Sequence, residues 1–120
     1  MGPAQLYTAL NRNRNTVLGR WVSVANSSKD RRQGLLAKTY LDEEEGLWIA
    51  PCEAIHTFGM KISIDAVFLD KTCRVRHIRH SLKPRRIAVC WSARSVLELA
   101  AGSVAASETQ VGDRIEFVAN

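Results

Sequence analysis

About seven short segments of β-branched, aliphatic and aromatic residues, each ended by a turn signal and spaced at about 8–12 residues, limit this chain to a β architecture. The segments run Thr16 to Ala25, Gly46 to Ala50, Ile64 to Leu69, Arg74 to Leu82, Ile87 to Trp91, Ser95 to Leu99 and Arg114 to Val118. Pro51, Pro84, Asp70-Lys71-Thr72, Gly102 and Gly112-Asp113 punctuate them. Only Ser28 to Leu36 reads as a helix, with Ser28 as its cap and Asp30 at the positive end of the helix dipole. Leu35 and Leu36 form the expected buried face of that helix. A wholly parallel sheet needs regular crossover helices, and the pattern offers none at intervals. The expected fold is mainly β: a compact sandwich or barrel-like single domain, 1–120, with one short N-terminal helix. Residues 1–15 read as a loosely ordered lead-in.

With 120 residues, 46% of them apolar, the chain can close one hydrophobic core. Charged residues make up 24%, which excludes a disordered chain as a whole. No apolar run approaches the roughly 20 residues of a membrane-crossing helix. The first fifteen residues lack the apolar core of a signal peptide, so a cytoplasmic location without membrane partners is expected. Three unpatterned cysteines, Cys52, Cys73 and Cys90, suit reduced thiols better than a disulfide framework. The net charge of +5 is concentrated in one stretch. Arg74, Arg76, Arg79, Lys83, Arg85 and Arg86 lie between 74 and 86 with His77 and His80 and no acid.

The most distinctive sequence is Pro51-Cys52-Glu53-Ala54-Ile55-His56-Thr57-Phe58-Gly59-Met60, followed by Ile64-Asp65 and Phe68-Leu69-Asp70. Together with Arg31 to Leu36, Leu97-Glu98-Leu99 before Ala101-Gly102, and Gly112-Asp113-Arg114, it resembles the bacterial and archaeal family called domain of unknown function 192. The resemblance runs from about Val17 onward. It implies a compact, mainly β fold with one N-terminal helix, and it implies no reaction, because the family carries none that is established. Gly59 stands where many relatives have Trp, and Cys52 and His56 have no counterpart there, so the resemblance assigns those two no role.

Four chemistries can be read from the side chains. Cys52, His56 and Met60 follow a C-x3-H-x3-M spacing that carries the thiolate, imidazole and thioether of a copper site. Such a site needs a second histidine, normally upstream, and here only His77 and His80 remain, both downstream. Core packing of Cys52 and Met60 is the simpler reading, and no cofactor is expected. His56 with Asp65 can form a general-base pair, with Cys52 as a nearby nucleophile, which makes a small enzyme the alternative function. Asp65 at a strand start is more simply a carboxylate that accepts backbone N–H groups.

The 74–86 segment offers a second alternative, weak nucleic-acid binding. Strand alternation splits its charges, with Arg74, Arg76 and His80 on one face and His77 and Arg79 on the other. A buried Glu98 requires a cation, and Arg94 or Arg32 is expected to supply it. The leading reading is a small ligand- or protein-binding accessory domain of unknown partner and oligomeric state. Its surface is the Cys52–Met60 loop, with candidate contacts at His56, Met60, Asp65, Arg94 and Glu98.

Overall fold

The computed structural model describes residues 4–120. A seven-stranded sheet dominates it, with strand order β6-β5-β8-β3-β2-β1-β9. In chain order these are β1 (Tyr7–Asn11), β2 (Thr16–Ala25), β3 (Glu45–Ile49), β5 (Ile64–Leu69), β6 (Val75–Leu82), β8 (Ser95–Ala100) and β9 (Ile115–Ala119). Two further strands, β4 (Ala54–His56) and β7 (Ile87–Val89), pair as a separate ribbon. Two short helices complete the described residues, α1 (Ser28–Gln33) and α2 (Ser103–Ala106). The architecture is therefore mainly β.

The large sheet curls into a half-barrel. Its two edge strands meet at one end, where Arg74 bridges to Arg114, Val75 N–H donates to Asp113 O and Ile115 N–H to Cys73 O. The inner face packs Val22, Val67, Val75, Leu97, Leu99 and Ile115 into one apolar cluster, which α2 caps through Val104. The outer face carries a second cluster, including Ile49, Ile64, Ala66, Phe68 and Val96. The β4–β7 ribbon and the α1 segment cover it with Ile55, Ala88 and Leu35. Strand β5, buried at every residue, divides its side chains between the two clusters. That is the period-two consequence of a strand with both faces covered.

Several local expectations are corrected here. Tyr7–Asn11 is a strand between β2 and β9, not a loose lead-in, because it finds hydrogen-bond partners on both sides. Residues 1–3 of that expected lead-in lie outside the described residues. The expected single helix is shorter, and a second one exists. Ser27, not Ser28, caps α1, with Oγ accepting from Asp30 N–H at 3.1 Å. The helix stops at Gly34, whose φ of 49° and ψ of −128° suit a residue without Cβ, so Leu35 is buried beyond the helix rather than on it. The sheet is also not free of parallel pairing. β2 and β3 run parallel, joined through the connection that contains α1.

Candidate functional site

Between the outer face of the sheet and its α1–β4 cover lies a cavity of about 590 Å³. That size is typical of a small-molecule site. Its walls are largely apolar. Leu35 and Leu36 contribute from the turn after α1, Ile49 from the end of β3, Ile55 from β4 and Met60 from the loop that follows. Ser28, Arg31 and Arg32 edge it on the helix side, and Cys52, Ala54 and His56 on the other.

Thr57 holds this second wall in place. It is fully buried, donates its hydroxyl to Lys83 O at 2.6 Å and its N–H to Arg86 O, and accepts from Arg86 N–H at 2.9 Å. Sequence reasoning passed over Thr57, since only the fold reveals that its hydroxyl ties two loops together. Gly59, at φ 83°, turns the chain so that Met60 points back into the core.

Glu98 is the polar group of the cavity that stands out. It lies on β8 between Ala66 of β5 and Leu47 of β3, so its side chain rises from the middle of an apolar sheet face. It is 3% exposed and lines the cavity. A Cβ built on Gly34 would stand 3.9 Å from its Oε1, so the helix end passes close above the carboxyl. Among the described residues Glu98 forms none of the four ion pairs, which belong to Arg12–Glu116, Arg14–Asp113, Arg20–Glu44 and Lys38–Glu45. The expected ion pair with Arg94 or Arg32 is thus not made. Burial without a partner pushes the Glu98 carboxyl up to about 7.

The other expected site residues fall into two groups. Cys52, His56 and Met60 all line the same cavity as Glu98, so the loop spacing does bring them together. Among the described residues no group of three or more His, Cys, Asp and Glu stands close enough to hold an ion. Burial, helped by the nearby Glu98 charge, raises the Cys52 thiol above its usual range, and its Sγ donates to Ala54 O at 3.2 Å. A thiol held protonated is a poor nucleophile. His56 is exposed, with its ring 5.8 Å from that of Phe58.

Asp65 and Arg94 belong elsewhere. Asp65 is paired in register with Leu99, whose side chain lies in the inner cluster, so its carboxylate points away from the cavity. Its oxygens accept from Ser81 N–H at 2.8 Å, Gly102 N–H at 3.1 Å and Val104 N–H at 2.9 Å. The carboxylate therefore anchors the start of α2 and a bend in β6. The general-base pair with His56 is not assembled, because the two side chains sit on opposite sides of the sheet. Arg94 stands at a neighbouring depression of about 290 Å³ that shares Pro51 and Cys52 with the main cavity.

The basic segment changes its reading as well. A register shift between Phe68 and Leu69 bulges β6 near Arg76, so Val75 and Ile78 both pack toward the inner cluster although three residues apart. His77 instead lies 5.6 Å from Phe68, a residue of the outer cluster. Arg74 is engaged at the barrel seam, donating to Gly112 O at 2.8 Å.

Comparison with known proteins agrees with this architecture. Residues 9–117 match the family described as Uncharacterized ACR, domain of unknown function 192. The chain belongs to this family. A crystal structure of a protein of unknown function from Novosphingobium aromaticivorans DSM 12444 superposes with a TM-score of 0.82 at 22% identity, covering 93% of this chain and 84% of that one. A second crystal structure, of a candidate transcription regulator from Sinorhizobium meliloti 1021, gives a TM-score of 0.82 at 20% identity over 98% of both chains. At these identities the likeness establishes that the fold is shared, and nothing beyond the fold. No curated protein matches the chain.

Proposed function

We propose that this member of the domain of unknown function 192 family is a small-molecule-binding domain whose ligand enters between α1 and β4 and reaches Glu98. One observation carries the reading: Glu98, a residue 3% exposed and without an ion-pair partner among the described residues, lines an apolar-walled cavity of about 590 Å³. A buried polar group left without a partner is costly unless something else satisfies it. Structural carboxylates in this protein look different, since Asp65 collects three backbone N–H groups and Asp113 collects Asn11, Gln110 and Arg14. Glu98 faces open space instead, as a group reserved for a ligand does.

The lining supports binding over covalent catalysis, because Cys52 is held as a thiol and among the described residues His56 is in none of the ion pairs. The three free cysteines suit a reducing compartment, in keeping with a cytoplasmic location. Among the described residues no helix is long and apolar enough to cross a membrane. α1 has six residues and α2 four, which leaves no recognition helix for a DNA groove among the described residues.

Titration with 8-anilinonaphthalene-1-sulfonate tests the reading. Its fused rings match the apolar walls and its sulfonate the arginine-bearing rim. One saturable site is expected by fluorescence, and Ala54→Trp, which fills the mouth, is expected to remove it without lowering the melting temperature. Absence of saturable binding, or equal binding by a folded Ala54→Trp variant, overturns the proposal.

A further inference from the structure

The charge layout of the cavity narrows the class of ligand, an argument that rests on the binding reading above. The base holds one acid and the rim holds bases. Arg31 is partly committed, donating to Asn26 O at 2.8 Å and to Ser28 Oγ at 3.4 Å. Arg32 and His56 both line the cavity, both are exposed, and neither side chain has a hydrogen-bond partner among the described residues. Between the acid and these bases the walls are apolar, from Leu35, Ile55 and Met60.

A ligand that was only a cation would meet the arginines on the way in. A ligand that was only an anion would leave Glu98 without a cationic partner. We infer that the ligand is amphoteric, with a protonated amine that reaches Glu98 at one end of an apolar body and an acidic group that meets Arg32 and His56 at the other. Each end then gains a charge-assisted hydrogen bond, and the apolar middle covers the walls.

Binding carries a proton signature. An ammonium against Glu98 favours the carboxylate, so the fraction of Glu98 that is protonated in the free protein gives its proton to solvent on binding. Besides Glu98, the titratable or charged groups facing the cavity are Arg31 and Arg32 on α1, Cys52 ahead of β4, and His56 on β4. The Glu98→Gln variant isolates the contribution of Glu98 to that signature.

The experiment compares three probes of one size by calorimetry near pH 7 in two buffers of different ionisation enthalpy. They are 4-(aminomethyl)benzoate, 4-methylbenzylamine and 4-methylbenzoate. The amphoteric probe is expected to bind about tenfold or more tightly than either of the others. Its binding is expected to release protons. Glu98→Gln, which keeps the shape and the fold, is expected to weaken it by about tenfold or more and to abolish the release. Arg32→Gln is expected to weaken the amphoteric probe while leaving 4-methylbenzylamine unchanged.

Equal or tighter binding of 4-methylbenzoate, unchanged affinity in Glu98→Gln, or a proton balance on binding that is the same with and without the Glu98→Gln substitution each overturns the inference. Failure of all three probes, while 8-anilinonaphthalene-1-sulfonate still occupies the cavity, overturns the amphoteric assignment and leaves the binding reading standing. Failure of the sulfonate dye as well overturns both.

Discussion

Replacing Glu98 by Gln should stabilise the protein at neutral and higher pH and leave it nearly unchanged in acid. In the folded chain burial lifts this carboxyl from 4.5 to about 7, while the unfolded chain restores the ordinary value. Below the unfolded value both states hold the proton, and the group adds no penalty. As pH rises from there the unfolded chain ionises first, so stability falls until the folded carboxyl also ionises near 7, and then it levels off. At about 1.4 kcal/mol for each pH unit separating the two values, the accumulated loss is about 3 kcal/mol.

Gln at position 98 keeps the volume and polarity of the neutral acid but cannot ionise. Urea unfolding of the two proteins from about pH 4 to about pH 8 should therefore show a difference that opens from near zero to about 3 kcal/mol in favour of Gln. Carboxylates held below their usual range titrate in both proteins and cancel. Asp113 is one: burial alone would raise it, but Asn11, the Gln110 N–H and Arg14 outweigh burial. A difference that stays constant across this window would show that Glu98 is not the buried, unpaired acid described here, and the ligand argument would lose its base.

Asp65→Ala should cost about 3 kcal/mol or more, since it strips a charged acceptor from three N–H donors around a fully buried position. Because that position faces the inner cluster, dye binding by the folded fraction should be unchanged, and loss of binding in a fully folded variant would contradict the placement. Gly46→Ala should destabilise by about 1–3 kcal/mol, because its Cβ would stand 2.8 Å from Leu99 Cδ2 and 3.0 Å from the backbone oxygen of Glu98. An unchanged urea midpoint would show that β3 and β8 are not packed this closely.

Much of the fold is legible where side-chain type decides local structure. Ile64–Leu69 appears in the structure with the bounds its β-branched and aromatic residues suggest, and the strands around Thr16–Ala25 and Ser95–Ala100 follow closely. β1 was hidden because Tyr7–Asn11 is short and borders the polar Asn11-Arg12-Asn13 turn. Its strand character comes from the backbone partners that β2 and β9 supply. β4 was hidden for the same reason, as three residues become a strand only once β7 lies beside them. The bulge near Arg76 likewise depends on pairing with β5, and it overturned the strict alternation assumed for the basic segment.

The two acids in apolar strands mark where sequence stops and tertiary structure takes over. Both Ile64-Asp65-Ala66 and Leu97-Glu98-Leu99 show from residue order alone that a carboxyl is carried into the interior. Neither shows which side it faces. Antiparallel register sets Glu98 beside Ala66 and Asp65 beside Leu99, and a one-residue offset at a period of two sends the carboxyls to opposite faces of the sheet. On the inner face the start of α2 supplies N–H groups, and Asp65 becomes an anchor. The outer face leaves a cavity above Glu98, whose acid stays unpaired because long-range packing, rather than any neighbour in sequence, determines what stands opposite it.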